Sequence, residues 1–115
     1  MDLARKLQLK PGVSIRLVNA PRDLLLELPV QPQSRNFLLF AANRADLAKH
    51  APKFLARSTD SDLVWIAYPK KSGSIKTDID RDHGWEPVSE AGWEGVRLVA
   101  VDETWSAMRF RPVSR

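Results

Sequence analysis

The sequence predicts an α/β domain: a three-layer sandwich around a mostly parallel five-stranded sheet that ends in an antiparallel hairpin. Strand-like apolar runs alternate with helical segments, which argues for parallel strands joined by right-handed crossovers. One of those runs, Phe37-Leu38-Leu39-Phe40, is continuously apolar, as in a strand covered on both faces. The last two strands are separated only by Asp102-Glu103, which is too short for a crossover and forces a hairpin.

The elements follow in order along a single domain, residues 1–115. Residues 3 to 8 make a short helix with Leu3 and Leu7 on one side, stopped by Lys10-Pro11-Gly12. Ser14 to Asn19 reads as the first strand and closes at Asn19-Ala20-Pro21. Pro21 suits the first position of a helical turn, with Leu24, Leu25 and Leu28 on one face, and Pro29 and Pro32 prevent its extension. Asn36 to Ala42 is the second strand. Asn43 then caps a helix with Asp46 in its first turn, Leu47, Ala51, Phe54 and Leu55 on its buried stripe, and Arg57 in its last turn. Pro52 is expected to divide that helix into two pieces. Leu63 to Tyr68 is the third strand. Thr77 is expected to cap a further helix, with Asp78 and Asp80 in its first turn and breaks at Gly84 and Pro87. Strands at Val96 to Val101 and Thr104 to Arg111 finish the chain.

Composition narrows the function classes. Apolar residues make up 43% and charged residues 28% of the chain, as in globular proteins. No apolar run approaches the length of a membrane span, about 20 residues, and Met1-Asp2-Leu3-Ala4-Arg5-Lys6 lacks the apolar core of a secretory signal. No cysteine is present, which removes thiol catalysis, disulfides and thiolate metal sites and fits a cytoplasmic setting. The net charge is +4, with scattered basic residues. A solvated surface explains that spread better than a nucleic-acid footprint does.

The best candidate site follows the third strand. Lys70, Lys71, Ser72, Gly73, Ser74 and Lys76 place ammonium groups and loop amides where ligands collect in open α/β sheets, and such a loop suits phosphate or carboxylate. The loop lacks the Gly-x-x-x-x-Gly-Lys-Ser/Thr pattern of a nucleoside-triphosphate site. Asp78, Asp80 and Asp82 imitate the start of a calcium loop, but no glutamate follows at the required distance, so helix-end charges explain them better. His50 and His83 lie far apart without metal-ligand spacing, and no Gly-x-Ser-x-Gly elbow supports a nucleophile, so neither metal nor catalytic residue is assigned. Of Trp65, Trp85, Trp93 and Trp105, the first is a core residue of the central strand, Trp85 and Trp93 clamp the last helical segment, and Trp105 opens the final strand.

Leu9-Lys10-Pro11-Gly12 ahead of a strand, together with the terminal helix and hairpin, resembles the first strand and the ending of Rossmann-like methyltransferases. That resemblance implies the spatial order Ser14–Asn19, Phe37–Ala42, Leu63–Tyr68, Thr104–Arg111, Val96–Val101. More closely, Leu3-Ala4-Arg5-Lys6-Leu7, the run from Trp65 to Ser72 with Lys76-Thr77-Asp78, and the run from Val101 to Pro112 are similar to a family of short bacterial proteins with no assigned activity. The methyltransferase pattern is incomplete. Those enzymes carry a glycine-rich turn after the first strand, where this chain has Asn19-Ala20-Pro21-Arg22-Asp23, and Pro21 to Arg35 is too short for the ribose-binding strand pair. The resemblance thus implies a trimmed fold without the methyl donor, and no cofactor is expected.

The leading expectation is a non-catalytic binding or regulatory module with an anionic small molecule or protein partner, contacted through Asn19, Arg22, Tyr68, Lys70, Lys71, Ser72, Ser74 and Lys76. The alternatives are an enzyme using a cleft at Asn19, Arg22, Tyr68 and Lys70, and weak self-association through an exposed edge strand, either Val96–Val101 or Ser14–Asn19.

Overall fold

The computed structural model describes residues 3–22, 24, 27–71, 73 and 75–113. Its elements are α1 (Leu3–Lys6), β1 (Arg16–Val18), β2 (Phe37–Phe40), α2 (Arg44–Leu55), β3 (Val64–Pro69), α3 (Glu86–Ser89), β4 (Trp93–Ala100) and β5 (Trp105–Pro112). The five strands form one mixed sheet in the order β1-β2-β3-β5-β4. β1, β2 and β3 are parallel, and β5 runs antiparallel between β3 and β4. This is the spatial order that the methyltransferase resemblance implies.

The sheet is apolar on both faces because its central strands are apolar at every position. Alternate residues point to opposite sides. Leu39, Val64, Ile66 and Tyr68 therefore join Leu47, Ala51 and Leu55 of α2 and Val88 of α3 on one face. Leu38, Phe40, Trp65 and Ala67 join Leu7, Leu9, Ile15, Trp105 and Ala107 on the other. Each fully buried aliphatic side chain contributes about 1.5–3 kcal/mol. Trp65 is wholly buried, and its Nε1 donates to Leu7 O at 3.0 Å, which ties the α1 segment to the central strand.

Several expectations need correction. α2 is one continuous helix with Pro52 inside it. Pro52 and Ala48, whose carbonyl loses its donor, are both exposed, so water can serve that carbonyl while Leu47, Ala51 and Leu55 stay packed. No helix begins at Thr77. The Thr77 hydroxyl accepts the Ile79 amide and the Asp80 carboxylate accepts the amides of Asp82 and His83, so local turns capture the donors that a first helical turn would need. Between Thr77 and Gly92, regular helix is confined to α3 among the described residues. Trp93 opens β4, where Gly92 at φ 88° turns the chain into the strand, and it shares a core cluster with Val88 of α3 against which Trp85 packs. Of the turn expected at residues 21–28, Leu24, Glu27 and Leu28 are not helical, while Asp23, Leu25 and Leu26 lie outside the described residues.

Among the described residues no helix is long and apolar enough to cross a membrane.

Candidate functional site

The carboxyl ends of β1, β2 and β3 meet Asn19, Ala41 to Asn43 and Lys70 along one edge of the sheet. Asn19 takes φ 58°, the left-handed conformation that asparagine tolerates better than most residues. Its Nδ2 donates to Phe40 O at 2.9 Å, so the side chain bridges the ends of β1 and β2. Beside it, the amino terminus of α2 is filled by the chain's own groups. Asn43 Oδ1 accepts the Asp46 amide at 2.9 Å, Asp46 Oδ2 accepts the Ala42 amide at 3.1 Å, and Asp78 Oδ1 reaches across to accept the Arg44 amide at 2.8 Å. These carboxylates meet the positive end of the helix dipole and its orphan amides together.

Asp80 organises the segment after β3. Lys71 Nζ lies 3.0 Å from one carboxylate oxygen, and the other accepts the Asp82 and His83 amides at 2.8 and 2.9 Å. His83 Nδ1 lies 2.9 Å from Asp80 as well. The Lys71 ammonium, the Asp82 amide and His83 hold this carboxyl well below the usual carboxylate range. Tyr68 is buried under the same segment, its ring edge-on to Trp85 at 5.4 Å. Burial pushes its hydroxyl up from the ordinary value, and the Asp80 and Asp82 charges add to the shift against the opposing Arg81.

The residues singled out from the sequence are therefore distributed rather than assembled. Asn19 is bound to Phe40, Tyr68 is in the core, and Lys71 is paired with Asp80. Lys71, Gly73, Ile75, Lys76 and Thr77 line a shallow depression of about 370 Å³. Lys70 is half-buried; its amide donates to Thr104 O at 2.8 Å and its carbonyl accepts from Gly73. Arg22 is exposed and makes no hydrogen bond or ion pair among the described residues. Ser72 and Ser74 lie outside the described residues. No group of three or more His, Asp and Glu side chains among the described residues is placed to hold a metal ion.

The opposite, amino end of the sheet holds a feature that reading along the sequence missed. Arg16 at the start of β1, Arg35 just before β2 and Arg57 just after α2 line one cleft of about 230 Å³ with Phe37 and Phe54. The pertinent signal was the excess of arginine. These three are 19 and 22 residues apart in the chain and only the topology gathers them. Asp62 at the foot of β3, 8% exposed, binds Arg35 through both oxygens at 3.2 and 3.1 Å.

The sheet order and the inserted antiparallel strand define a methyltransferase-like α/β fold. The chain is similar to a cysteine-to-alanine variant of LepI in complex with SAH and a substrate analogue, with a TM-score of 0.52 and 14% identity. That match covers 96% of this chain and 39% of the other, so the chain spans well under half of the LepI chain's length. A pericyclic reaction enzyme matches with a TM-score of 0.49 at 12% identity, and LepI in complex with SAM with 0.46 at 14%, each over 96% of this chain and 39% of that one. No family model and no curated protein matches the chain. The similarity to a short bacterial family accordingly rests on the quoted segments alone.

Proposed function

We propose that the chain is a binding module on a trimmed methyltransferase-like sheet, one that does not hold the methyl donor and does not catalyse methyl transfer. The observation that carries this reading is the Asn19 side chain bonded to Phe40 O at 2.9 Å, where a donor-binding fold needs bare backbone beside the first strand. Two further features support it. β1 is the last strand on its side of the sheet among the described residues, joined outward by a single parallel bridge from Ile15 to Val30 in place of a full ribose-binding strand, and Asp46 and Asp78 already occupy the amino terminus of α2. The residues at this edge do not fit an adenosyl cofactor. We read the two covered faces of the sheet as a three-layer arrangement, with the α1 segment forming the thin layer.

The same reading keeps an anion contact at Lys70 to Lys76. Lys70 and Lys76 have no carboxylate partner among the described residues, while the Lys71–Asp80 pair props the loop between them. Isothermal titration with SAM and SAH tests the absence of the donor site, and neither is expected to bind. Stoichiometric binding that perturbs Asn19 overturns the reading and brings the chain closer to the SAM-complexed neighbour. For the loop, Lys70→Glu with Lys76→Glu is expected to weaken retention on a carboxylate-bearing resin, and unchanged retention removes it as the contact.

A further inference from the structure

We propose that the cleft between the start of β1, the start of β2 and the end of α2 is a binding site for a small phosphomonoester. Arg16, Arg35 and Arg57 converge there, and one carboxylate, Asp62, answers them. Asp62 is committed to Arg35 at 3.1 Å, and Arg35 Nη2 also donates to Arg57 O at 2.6 Å. The guanidinium of Arg35 is thereby fixed in orientation, with Nη1 making no hydrogen bond among the described residues. Arg16 lies 5.1 Å over the Phe54 ring, and neither it nor Arg57 has a carboxylate partner among the described residues. Planar guanidinium forks match the oxygen spacing of phosphate, and like charges gathered in a concave site favour a polyvalent anion.

The end of α2 does not explain these arginines away. Three of its last four carbonyls are already served, Pro52 O by the Ala56 amide, Phe54 O by the Arg57 amide and the Ser58 hydroxyl, and Leu55 O by the Ser58 amide, and Arg57 O beyond the helix is served by Arg35. The Arg16 and Arg57 side chains are left over for a ligand.

The shape of the cleft narrows the ligand further. Phe37 and Phe54, with ring centroids 5.3 Å apart, form an apolar wall beside the charges. The volume, about 230 Å³, lies below the roughly 300–1,000 Å³ of pockets that take drug- or cofactor-sized ligands. A phosphate with a short apolar body fits that description, and a nucleotide does not. Nor does a polynucleotide track suit it, because Lys70, Lys71 and Lys76 follow β3 at the other end of the sheet.

The test is an amide-shift NMR titration of the whole chain with phenyl phosphate. Saturable shifts confined to Arg16, Arg35, Arg57 and Ser58 are expected, with a dissociation constant on the order of 1 mM or tighter. Arg57→Ala and Arg16→Ala are each expected to weaken binding by about tenfold, while amide shifts elsewhere report an intact fold. Arg57→Lys should recover only part of the loss, because an ammonium lacks the fork. Unaltered affinity in both alanine variants overturns the proposal. So does benzoate binding as tightly as phenyl phosphate, or an oligonucleotide binding far more tightly with shifts spread onto the Lys70–Lys76 loop. Lys70→Glu with Lys76→Glu is expected to leave phenyl phosphate binding unchanged, which separates this site from the loop contact proposed above.

Discussion

The two ends of the sheet carry basic residues in different electrostatic states. At the carboxyl end, where an open α/β sheet ordinarily receives its ligand, the chain supplies its own anions: Asp46 and Asp78 at α2, and Asp80 against Lys71. At the amino end, three arginines share a cleft with one carboxylate already spoken for. The nominal ligand edge is therefore internally satisfied at α2 and at Lys71, with Lys70 and Lys76 left without a carboxylate partner among the described residues, and the unanswered arginines Arg16 and Arg57 gather in a cleft at the back of the sheet. Fold analogy directs attention to the first end, and charge accounting directs it to the second.

The largest effect should come from Asp62, on which the amino end depends. Asp62→Ala removes the paired contact with Arg35 and the acceptor of the Thr59 amide at 2.9 Å. Because Arg35 is itself 63% exposed, solvent screens the pair, and the loss should be nearer about 2 kcal/mol than the larger cost of breaking a fully buried pair. Urea unfolding measures it, and a loss within error of zero would mean that the arginines need no internal counter-charge. Asn43→Ala at the carboxyl end should cost less, about 1 kcal/mol, by removing the cap of α2. If the capping variant proves the more damaging, the ranking of the two ends is reversed.

The sequence made the sheet legible and the charges illegible, for one physical reason. The strands themselves and the terminal hairpin follow from local patterns, such as the Phe37–Phe40 run and the two-residue connection at Asp102-Glu103, all contained in short windows, while their spatial order was implied by the methyltransferase resemblance. Asp78 shows the opposite case. From the sequence it belongs at the head of its own helix, yet it caps α2 from 34 residues away. Asp80 likewise organises a turn instead of a helix. Acidic residues near a helix signal announce an acceptor without saying which donors will reach it. The arginine cleft was further out of reach, since Arg16, Arg35 and Arg57 become neighbours only after β1, β2 and α2 have packed. Pro52 failed for a third reason: packing along Leu47, Ala51 and Leu55 outweighs the propensity penalty at an exposed position.

Asn19 tests whether the carboxyl end is closed by a side chain or merely by geometry. Its φ of 58° disfavours alanine, so Asn19→Ala should be less stable than Asn19→Gly by roughly 0.5–1 kcal/mol. Asn19→Gly restores the bare backbone but leaves Asp46 and Asp78 in place, so SAM is still expected not to bind, as read by titration calorimetry. Binding gained from that single change would locate the whole closure in one side chain.

The smallest effect belongs to Tyr68 and appears only in alkali. Its hydroxyl is raised from 10.0 by burial and by the Asp80 and Asp82 charges, so the folded state holds the phenolic proton more tightly than the unfolded state does. In that window the native state binds more protons, and stability must fall as pH rises. The contribution is complete below pH 10.0 and is lost as pH climbs through the raised folded value. Tyr68→Phe should remove this alkaline slope while leaving stability at neutral pH close to that of the parent, as followed by urea midpoints across the alkaline range. Asp80→Asn should shrink the slope without abolishing it, because burial, the larger cause, remains. An unchanged slope in Asp80→Asn would mean that the carboxylate reaches Lys71 but not the hydroxyl beneath it, and the carboxyl end would then be neutralised pair by pair and not as one coupled cluster.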